Sequence, residues 1–175
     1  RLKTGACRVE GVGRSRRFKG SDDTRNHVTS DAPAGTKGHW GPCDSEITVL
    51  SFESLGGGPR VVLAFYACHP VVVQVQSKVS ADFPGVATGL IETAMPDCEA
   101  CLFVQGACGD INPIRGDTRD FADVDDYGRI LAEAIQSQLD LFDDTKYPAE
   151  SVRVAAASKY IDIPSSPLPT MQECL

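Results

Sequence analysis

The pattern of apolar and polar positions predicts three strands in the first part of the chain. Residues 5–12 form one candidate strand, and "EITVLSFES" (46–54) and "RVVLAFYAC" (60–68) form two more. The turn "LGGGP" between the last two predicts a hairpin. Nearly every position of 60–68 is apolar, which favours a central strand covered on both faces.

The segment between the first two of these strands, residues 13–42, is polar, glycine-rich and without a period. This composition predicts a long surface loop. Loops of that length within compact domains often border a functional site, so we expect this one to do so.

Helices are predicted in the second half of the chain. Asp82 stands before Phe83 and Pro84, and apolar residues then recur at helical spacing, which predicts a helix over 83–95 with Asp82 as its N-cap. A short strand follows at 101–106, and the segment 123–142 repeats the helical pattern behind a run of acids. The alternation in 151–163 predicts a last strand.

This alternation of strands and helices predicts an α/β fold, with crossover helices packed on a layered, mixed β-sheet. Ligands of such sheets bind beyond the carboxyl ends of the strands. The segments "CHP" (68–70) and "GACGDINP" (106–113) both follow predicted strands. We therefore expect them to lie together at one edge of the sheet.

Length and charge narrow the class of protein. The 175 residues suffice for one domain or a large part of one, and the net charge of −7 opposes binding to nucleic acid or to anionic bilayers. No apolar run has the length of a transmembrane helix, and the N-terminus lacks the apolar centre of a signal peptide. A removed leader leaves no trace in a mature sequence, so secretion stays possible. Seven cysteines cannot all pair within one chain, so the cysteine count does not identify the cellular compartment either.

The candidate chemistry lies in the two strand-end segments. His69 precedes Pro70 at the end of an apolar strand, where its imidazole can face a crevice, although a lone histidine is more often a hydrogen-bonded structural residue. In the second segment, Gly106 and Gly109 allow close approach of a ligand, and Asp110 and Asn112 offer polar atoms beside them. The alternative interpretation is a tight turn in which Asp110 caps neighbouring amides.

Other polar residues have simpler interpretations. His27 and His39 lie in the polar segment and are expected to be solvated surface residues. The "CEAC" motif (98–101) lacks the second pair that a zinc site needs, and its cysteines are expected to be two small residues flanking the start of a strand. Five acids before and within the second predicted helix lack the pattern of an EF-hand and suit a helix N-terminus: Asp117, Asp120, Asp123, Asp125 and Asp126.

Four ordered motifs together resemble the N-terminal catalytic region of the neutral/alkaline non-lysosomal ceramidases, especially their bacterial relatives. They are "GPCDSEITVLSF", "FYACHPVVV", "VSADFPG" and "LFVQGACGDINP". The resemblance extends over most of residues 7–165. It implies that residues 1–175 form a single partial domain of a larger catalytic domain completed by the remainder of the same polypeptide.

The resemblance also implies a zinc-dependent hydrolase that cleaves a linear amide, an N-acyl sphingoid or another N-acyl amine, with a metal-activated water. His69 matches one histidine ligand of the family's zinc, and a neutral imidazole suits that metal. The family's other ligands, a histidine, a glutamate and a tyrosine, lie outside this sequence. Asp82 matches an acidic position of a family turn, and we include it with Gly106 and Gly109 as a candidate substrate contact.

One departure from the family bears on the reaction. Where ceramidases have Gly-Asp-x-Ser-Pro, this chain has Gly109-Asp110-Ile111-Asn112-Pro113. Asparagine cannot act as an alkoxide nucleophile, but its amide can orient a substrate or stabilise an oxyanion. The alternatives are therefore a catalytically silent binding or structural domain, and a metal-dependent hydrolase of an ester or phosphate.

Overall fold

The computed structural model describes residues 1–21, 26–28, 37–74, 76–115, 118, 120–142, 155–165 and 171–172. Within these ranges the chain forms nine strands and two helices. In chain order they are β1 (Leu2–Arg8), β2 (Gly13–Ser15), β3 (Arg17–Gly20), β4 (Asn26–Val28), β5 (Gly38–Trp40), β6 (Glu46–Glu53), β7 (Arg60–Tyr66), α1 (Asp82–Ala94), β8 (Cys98–Gln105), β9 (Ile111–Pro113) and α2 (Phe121–Asp140).

The main sheet has four strands in the order β1-β6-β7-β8. β6 pairs antiparallel with both β1 and β7, which confirms the predicted hairpin, and β7 pairs in parallel with β8. The connection from β7 to β8 runs through α1, as a parallel pair requires. The predicted α/β class with a mixed sheet and a crossover helix is therefore confirmed.

The helices cover one face of this sheet. Along β7, Val62, Ala64 and Tyr66 are buried on the helical side, whereas Val61, Leu63 and Phe65 on the other side are only partly buried. The prediction that this strand is covered on both faces is wrong for the described residues, because both helices pack on the same side. The opposite face stays apolar, and Leu102 of β8 is 51% exposed on it.

The two helices pack closely against each other. Gly128 of α2 faces Val86 of α1, and a Cβ built on Gly128 would lie 2.4 Å from the Val86 Cβ atom, so this approach requires glycine. α2 begins behind Asp120, whose Oδ1 accepts a hydrogen bond from the Ala122 amide at 2.9 Å. Arg115 pairs with Asp123 at 2.6 Å. These contacts agree with the helix N-terminus interpretation of the acidic run, of which Asp117 lies outside the described residues.

The segment 13–42 contains structure that its sequence did not predict. β2 pairs with β9, and β3 lies between β4 and β5 in a small second sheet. Phe18 of β3 is buried against the Trp40 ring at 5.0 Å between centroids. The surface-loop prediction is wrong where these strands form. His39 is exposed as expected, and the side chain of His27 lies outside the described residues.

The predicted strand over 151–163 is not found in its described part. Residues 155–165 are all exposed and belong to no strand, because no other described strand supplies backbone partners, and 151–154 lie outside the described residues. Cys98 and Cys101 lie in β8 as buried thiols, and the six cysteines that the structure describes are all unpaired. None of the described helices has the length and apolar character to cross a membrane.

Candidate functional site

The candidate site lies where two parallel strands end. Tyr66 of β7 pairs with Gln105 of β8, and both chains leave the sheet at that edge. The Gly106 amide donates to the Tyr66 carbonyl oxygen at 2.9 Å, so the segments that follow the two strands start side by side. The expectation that residues 68–70 and 106–113 share one edge is met.

His69 is attached to the second segment through its backbone and its ring. Its amide donates to the carbonyl oxygen of Ile111 at 3.0 Å, and its Nδ1 lies 3.4 Å from the Sγ atom of Cys108. The Ile111 amide in turn donates to the Cys108 carbonyl oxygen at 2.9 Å. The imidazole is half-buried, so it touches the glycine-bracketed loop without being enclosed.

Asp110 is tied to the arginines of the N-terminal segment. Its Oδ2 accepts from Arg17 Nε at 3.2 Å, and its carbonyl oxygen accepts from the Arg16 amide at 2.8 Å. Both side chains of the ion pair are partly exposed, at 55% for Arg17 and 38% for Asp110. The carboxylate therefore stays in contact with solvent and holds the loop against β3 by a screened interaction.

Asn112 holds an unsatisfied acceptor. It lies in β9, opposite Arg14 of β2, and its Oδ1 is buried without a hydrogen-bond partner among the described residues. A buried acceptor left unpaired costs about 1–3 kcal/mol. Such an atom is a candidate to accept a hydrogen bond from a ligand.

The two glycines of the loop have different surroundings. A Cβ on Gly106 would lie 3.1 Å from Ala67 Cα, so a side chain here would crowd the place where the two strand-end segments approach each other. A Cβ on Gly109 would have no atom within 4 Å, and its carbonyl oxygen accepts from Arg16 Nη2 at 3.0 Å. Open space for a ligand therefore lies at Gly109, while Gly106 faces protein.

Asp82 is buried and bound to backbone amides. Its Oδ2 accepts from the Val73 amide at 3.1 Å and its Oδ1 from the Phe83 amide at 2.9 Å. The prediction of Asp82 as the N-cap is wrong: Asp82 is the first residue of α1, in a left-handed backbone conformation with φ of 53°, and Ala81 takes the N-cap position without a side-chain cap. Asp82 thus connects the segment after Pro70 to the helix. Its predicted contact with a substrate stays a prediction.

A buried thiol and a buried phenol lie beside the site. Burial raises the pKa of the Cys68 thiol well above its ordinary value, with Cys43 and Cys108 adding to the effect, and Cys68 is fully buried. Burial likewise raises the pKa of the Tyr66 phenol. Both groups are therefore neutral at physiological pH, and Cys68 is a packing residue here.

Two hollows adjoin the strand ends. One of about 260 Å³ lies beside Ala67 and Gly106 and includes the acids Asp44 and Glu46. The other, a groove of about 470 Å³, runs from Pro70 between α1 and β8 over Phe103. Two hollows with mainly apolar linings, the first of them with acids among its lining residues, thus flank the segment that carries His69.

A metal ion would find few donors within the described residues. They contain no group of three or more histidine, cysteine or acidic side chains arranged to hold a metal. The donors that meet are the His69 imidazole and the Cys108 thiol. Both suit zinc chemically, and a four-coordinate site would need ligands from elsewhere.

Cys108 and the arginines of the N-terminal segment also lie at the site, although the sequence patterns did not indicate them. Cys108 lies two residues before Asp110 in a loop already expected to meet His69, and that position was the available signal. Arg14, Arg16 and Arg17 belong to the segment predicted as a surface loop, but Arg14 lies in β2, Arg17 in β3 and Arg16 between these strands. Arg14 also stacks on the Trp40 ring, with its guanidinium carbon 4.0 Å from the ring centroid.

Comparison with known proteins gives a likeness in fold. The neutral ceramidase from Pseudomonas aeruginosa aligns with 81% of this chain at a TM-score of 0.56 and 16% identity. A ceramidase complexed with C2 aligns with 81% at a TM-score of 0.59 and 16% identity. This chain spans 22% of either structure's length. No family model matches the sequence, and no curated protein matches it. The fold of this chain is similar to that of part of a neutral ceramidase.

Proposed function

We propose that this chain is part of the catalytic domain of a metal-dependent hydrolase of the neutral ceramidase type, which cleaves a linear amide. The observation that carries the proposal is His69, held against the Cys108–Ile111 turn at the carboxyl edge of a sheet whose fold is similar to that of part of a ceramidase. The substrate class is an N-acyl sphingoid or another N-acyl amine.

In this proposal His69 is a zinc ligand. Its ring is half-buried and held by Cys108, and zinc binds imidazole through an unprotonated ring nitrogen. When bound, zinc would act as a Lewis acid and activate water for attack on a carbonyl carbon. The remaining ligands come from the rest of the same polypeptide, in keeping with the 22% of ceramidase length that this chain spans.

The loop residues bind and orient the substrate. The unpaired Asn112 Oδ1 accepts a hydrogen bond from a substrate N–H or O–H group, and the amide of the same side chain orients the carbonyl. Asp110, held by Arg17, fixes the shape of the loop, and the open space at Gly109 admits the substrate. The apolar groove beginning at Pro70 suits an acyl chain.

The test uses the complete polypeptide that contains this chain. We expect it to hold zinc by elemental analysis and to hydrolyse N-acyl amines in a reaction that a chelator stops. His69→Ala should lose both zinc and activity, whereas His39→Ala, which changes an exposed histidine, should retain both. Absence of zinc from the complete protein, or full activity of His69→Ala, would refute the proposal.

A catalytically silent binding domain is the second candidate, and Asn112 favours it. Asparagine stands where the resemblance to ceramidases has the serine, so a nucleophile-like hydroxyl is missing at that position. Chelator-sensitive turnover of any N-acyl amine would exclude a silent domain. If the complete protein does not hydrolyse amides, assays with esters and phosphomonoesters identify the bond that it cleaves.

A further inference from the structure

The contact between His69 and Cys108 occupies one side of the imidazole ring. Nδ1 lies 3.4 Å from Sγ, a distance that suits a hydrogen bond in which either group is the donor. The two ring nitrogens point in different directions, so Nε2 is directed away from Cys108. Only Nε2 is left to bind a ligand outside the loop.

The tautomer of the ring decides whether Nε2 can bind a metal. If Nδ1 carries the proton and donates it to Sγ, the Nε2 lone pair is free. If the thiol donates to Nδ1, the proton is on Nε2 and the lone pair is lost. Metal-binding histidines almost always donate their second N–H to a fixed acceptor, which orients the ring and sets its tautomer.

We propose that Cys108 is a positioning residue: its sulfur accepts a hydrogen bond from the Nδ1–H group of His69 and so directs the Nε2 lone pair into the site. This inference rests on the proposed function, in which His69 binds a metal. It assigns to a thiol the part that a carboxylate or a carbonyl oxygen plays in most such sites.

The backbone of the turn holds Cys108 beside His69. The Cys108 carbonyl oxygen accepts from the Ile111 amide at 2.9 Å, and the Ile111 carbonyl oxygen accepts from the His69 amide at 3.0 Å. These two bonds join the residue that carries the sulfur to the residue that carries the ring. Acceptor and ring are therefore held together before any metal binds.

The other cysteines near the site do not offer this contact. Cys68 is fully buried, and its sulfur lies 3.8 Å from the His69 carbonyl oxygen rather than beside the ring. Cys43 is exposed, and its sulfur lies 3.9 Å from the Asp44 carbonyl oxygen. Cys43→Ala is therefore a suitable control, because it removes a thiol near the site without touching the His69 ring.

The test measures metal affinity in the complete polypeptide by competition with a chromophoric chelator, using zinc and cobalt(II). We expect Cys108→Ala to weaken binding by about 10–100-fold, the usual effect of removing such a partner. Cys108→Ser should recover part of the loss, because a hydroxyl oxygen also accepts from Nδ1. Cys43→Ala should bind as the unchanged protein does.

Two spectroscopic readouts do not depend on activity. Nitrogen NMR of the metal-free protein should show the His69 proton on Nδ1, and this preference should weaken in Cys108→Ala. The cobalt(II) protein should show no sulfur-to-cobalt charge-transfer band. Since the NMR measurement is made on the unsubstituted protein, it remains decisive if a variant fails to fold.

The outcomes separate this inference from the proposed function. Equal metal affinity of Cys108→Ala and the unchanged protein, with binding lost in His69→Ala, would overturn the inference and leave the proposed function intact. A charge-transfer band that disappears in Cys108→Ala would make Cys108 a ligand and also overturn it. If His69→Ala bound metal normally, the proposed function would fail.

Discussion

Replacement of Asp82 tests how the segment after Pro70 is held to α1. The Asp82 side chain is 5% exposed, and its two oxygens accept from the Val73 and Phe83 amides. Asp82→Ala would leave both amides without their acceptor. It would also place alanine at φ of 53°, in the left-handed region that alanine disfavours.

The expected loss of stability is the sum of these two effects. The two amides together account for about 3 kcal/mol, since Val73 and Phe83 are buried and lose a charged partner. The left-handed backbone adds about 1 kcal/mol. We expect Asp82→Ala to cost about 4 kcal/mol and Asp82→Gly about 3 kcal/mol, because glycine adopts this φ freely. Asp82→Asn should cost least, since its amide oxygen can still accept one bond.

Equilibrium unfolding in urea, followed by circular dichroism, measures these differences. The order of stability should be Asn, then Gly, then Ala at position 82. Glycine is ordinarily the poorer residue in a helix, so its advantage over alanine would be a direct sign of the backbone conformation. An alanine variant as stable as the glycine variant would refute the assignment of left-handed strain to Asp82.

Other changes have equally definite outcomes. Gly106→Ala should lower the unfolding free energy by about 1–3 kcal/mol, since its Cβ would meet Ala67, whereas Gly109→Ala should leave stability unchanged and weaken substrate binding. Equal stability of these two variants would contradict the described packing. Arg17→Gln should lower the free energy of unfolding in urea by less than about 1 kcal/mol, because its ion pair with Asp110 is partly exposed. A larger loss would contradict the description of this pair as a surface contact. Burial raises the pKa of the Cys101 thiol from 9.0 to about 12. The unfolded chain therefore loses this proton at a lower pH than the folded chain, and the free energy of unfolding should fall as the pH rises from 9.0 to about 12. The fall should be less steep in Cys101→Ala.

The main sheet and the helices could be predicted because their apolar patterns are long. The hairpin of β6 and β7 and the two helices follow from period and turn residues within each segment. β2 to β5 could not be predicted in this way, since each has only three or four residues and several are arginine or glycine. These short strands are stabilised by pairing with other strands and by the burial of single residues such as Phe18, and no local sequence pattern indicates either contribution.

The site was predictable in part for the same reason. His69 and the 106–113 loop could be placed at one edge because parallel strands share a direction. The contact between His69 and Cys108 depends on how the turn at 108–111 closes, which involves hydrogen bonds between backbone groups and not residue type. The incomplete burial of the second face of β7 could not be predicted either, since an apolar strand sequence does not indicate on which side the helices pack.

The pairing of β2 with β9 joins residues that are far apart in the chain, and this affects when the site becomes ordered during folding. Arg16 and Gly109, which are 93 positions apart in the chain, meet beside it. Closing so large a loop costs entropy that only the finished sheet can offset, so we expect this edge to become ordered after the sheet and helices. By the same reasoning it should be among the first regions to exchange its amide hydrogens with solvent, before any global unfolding.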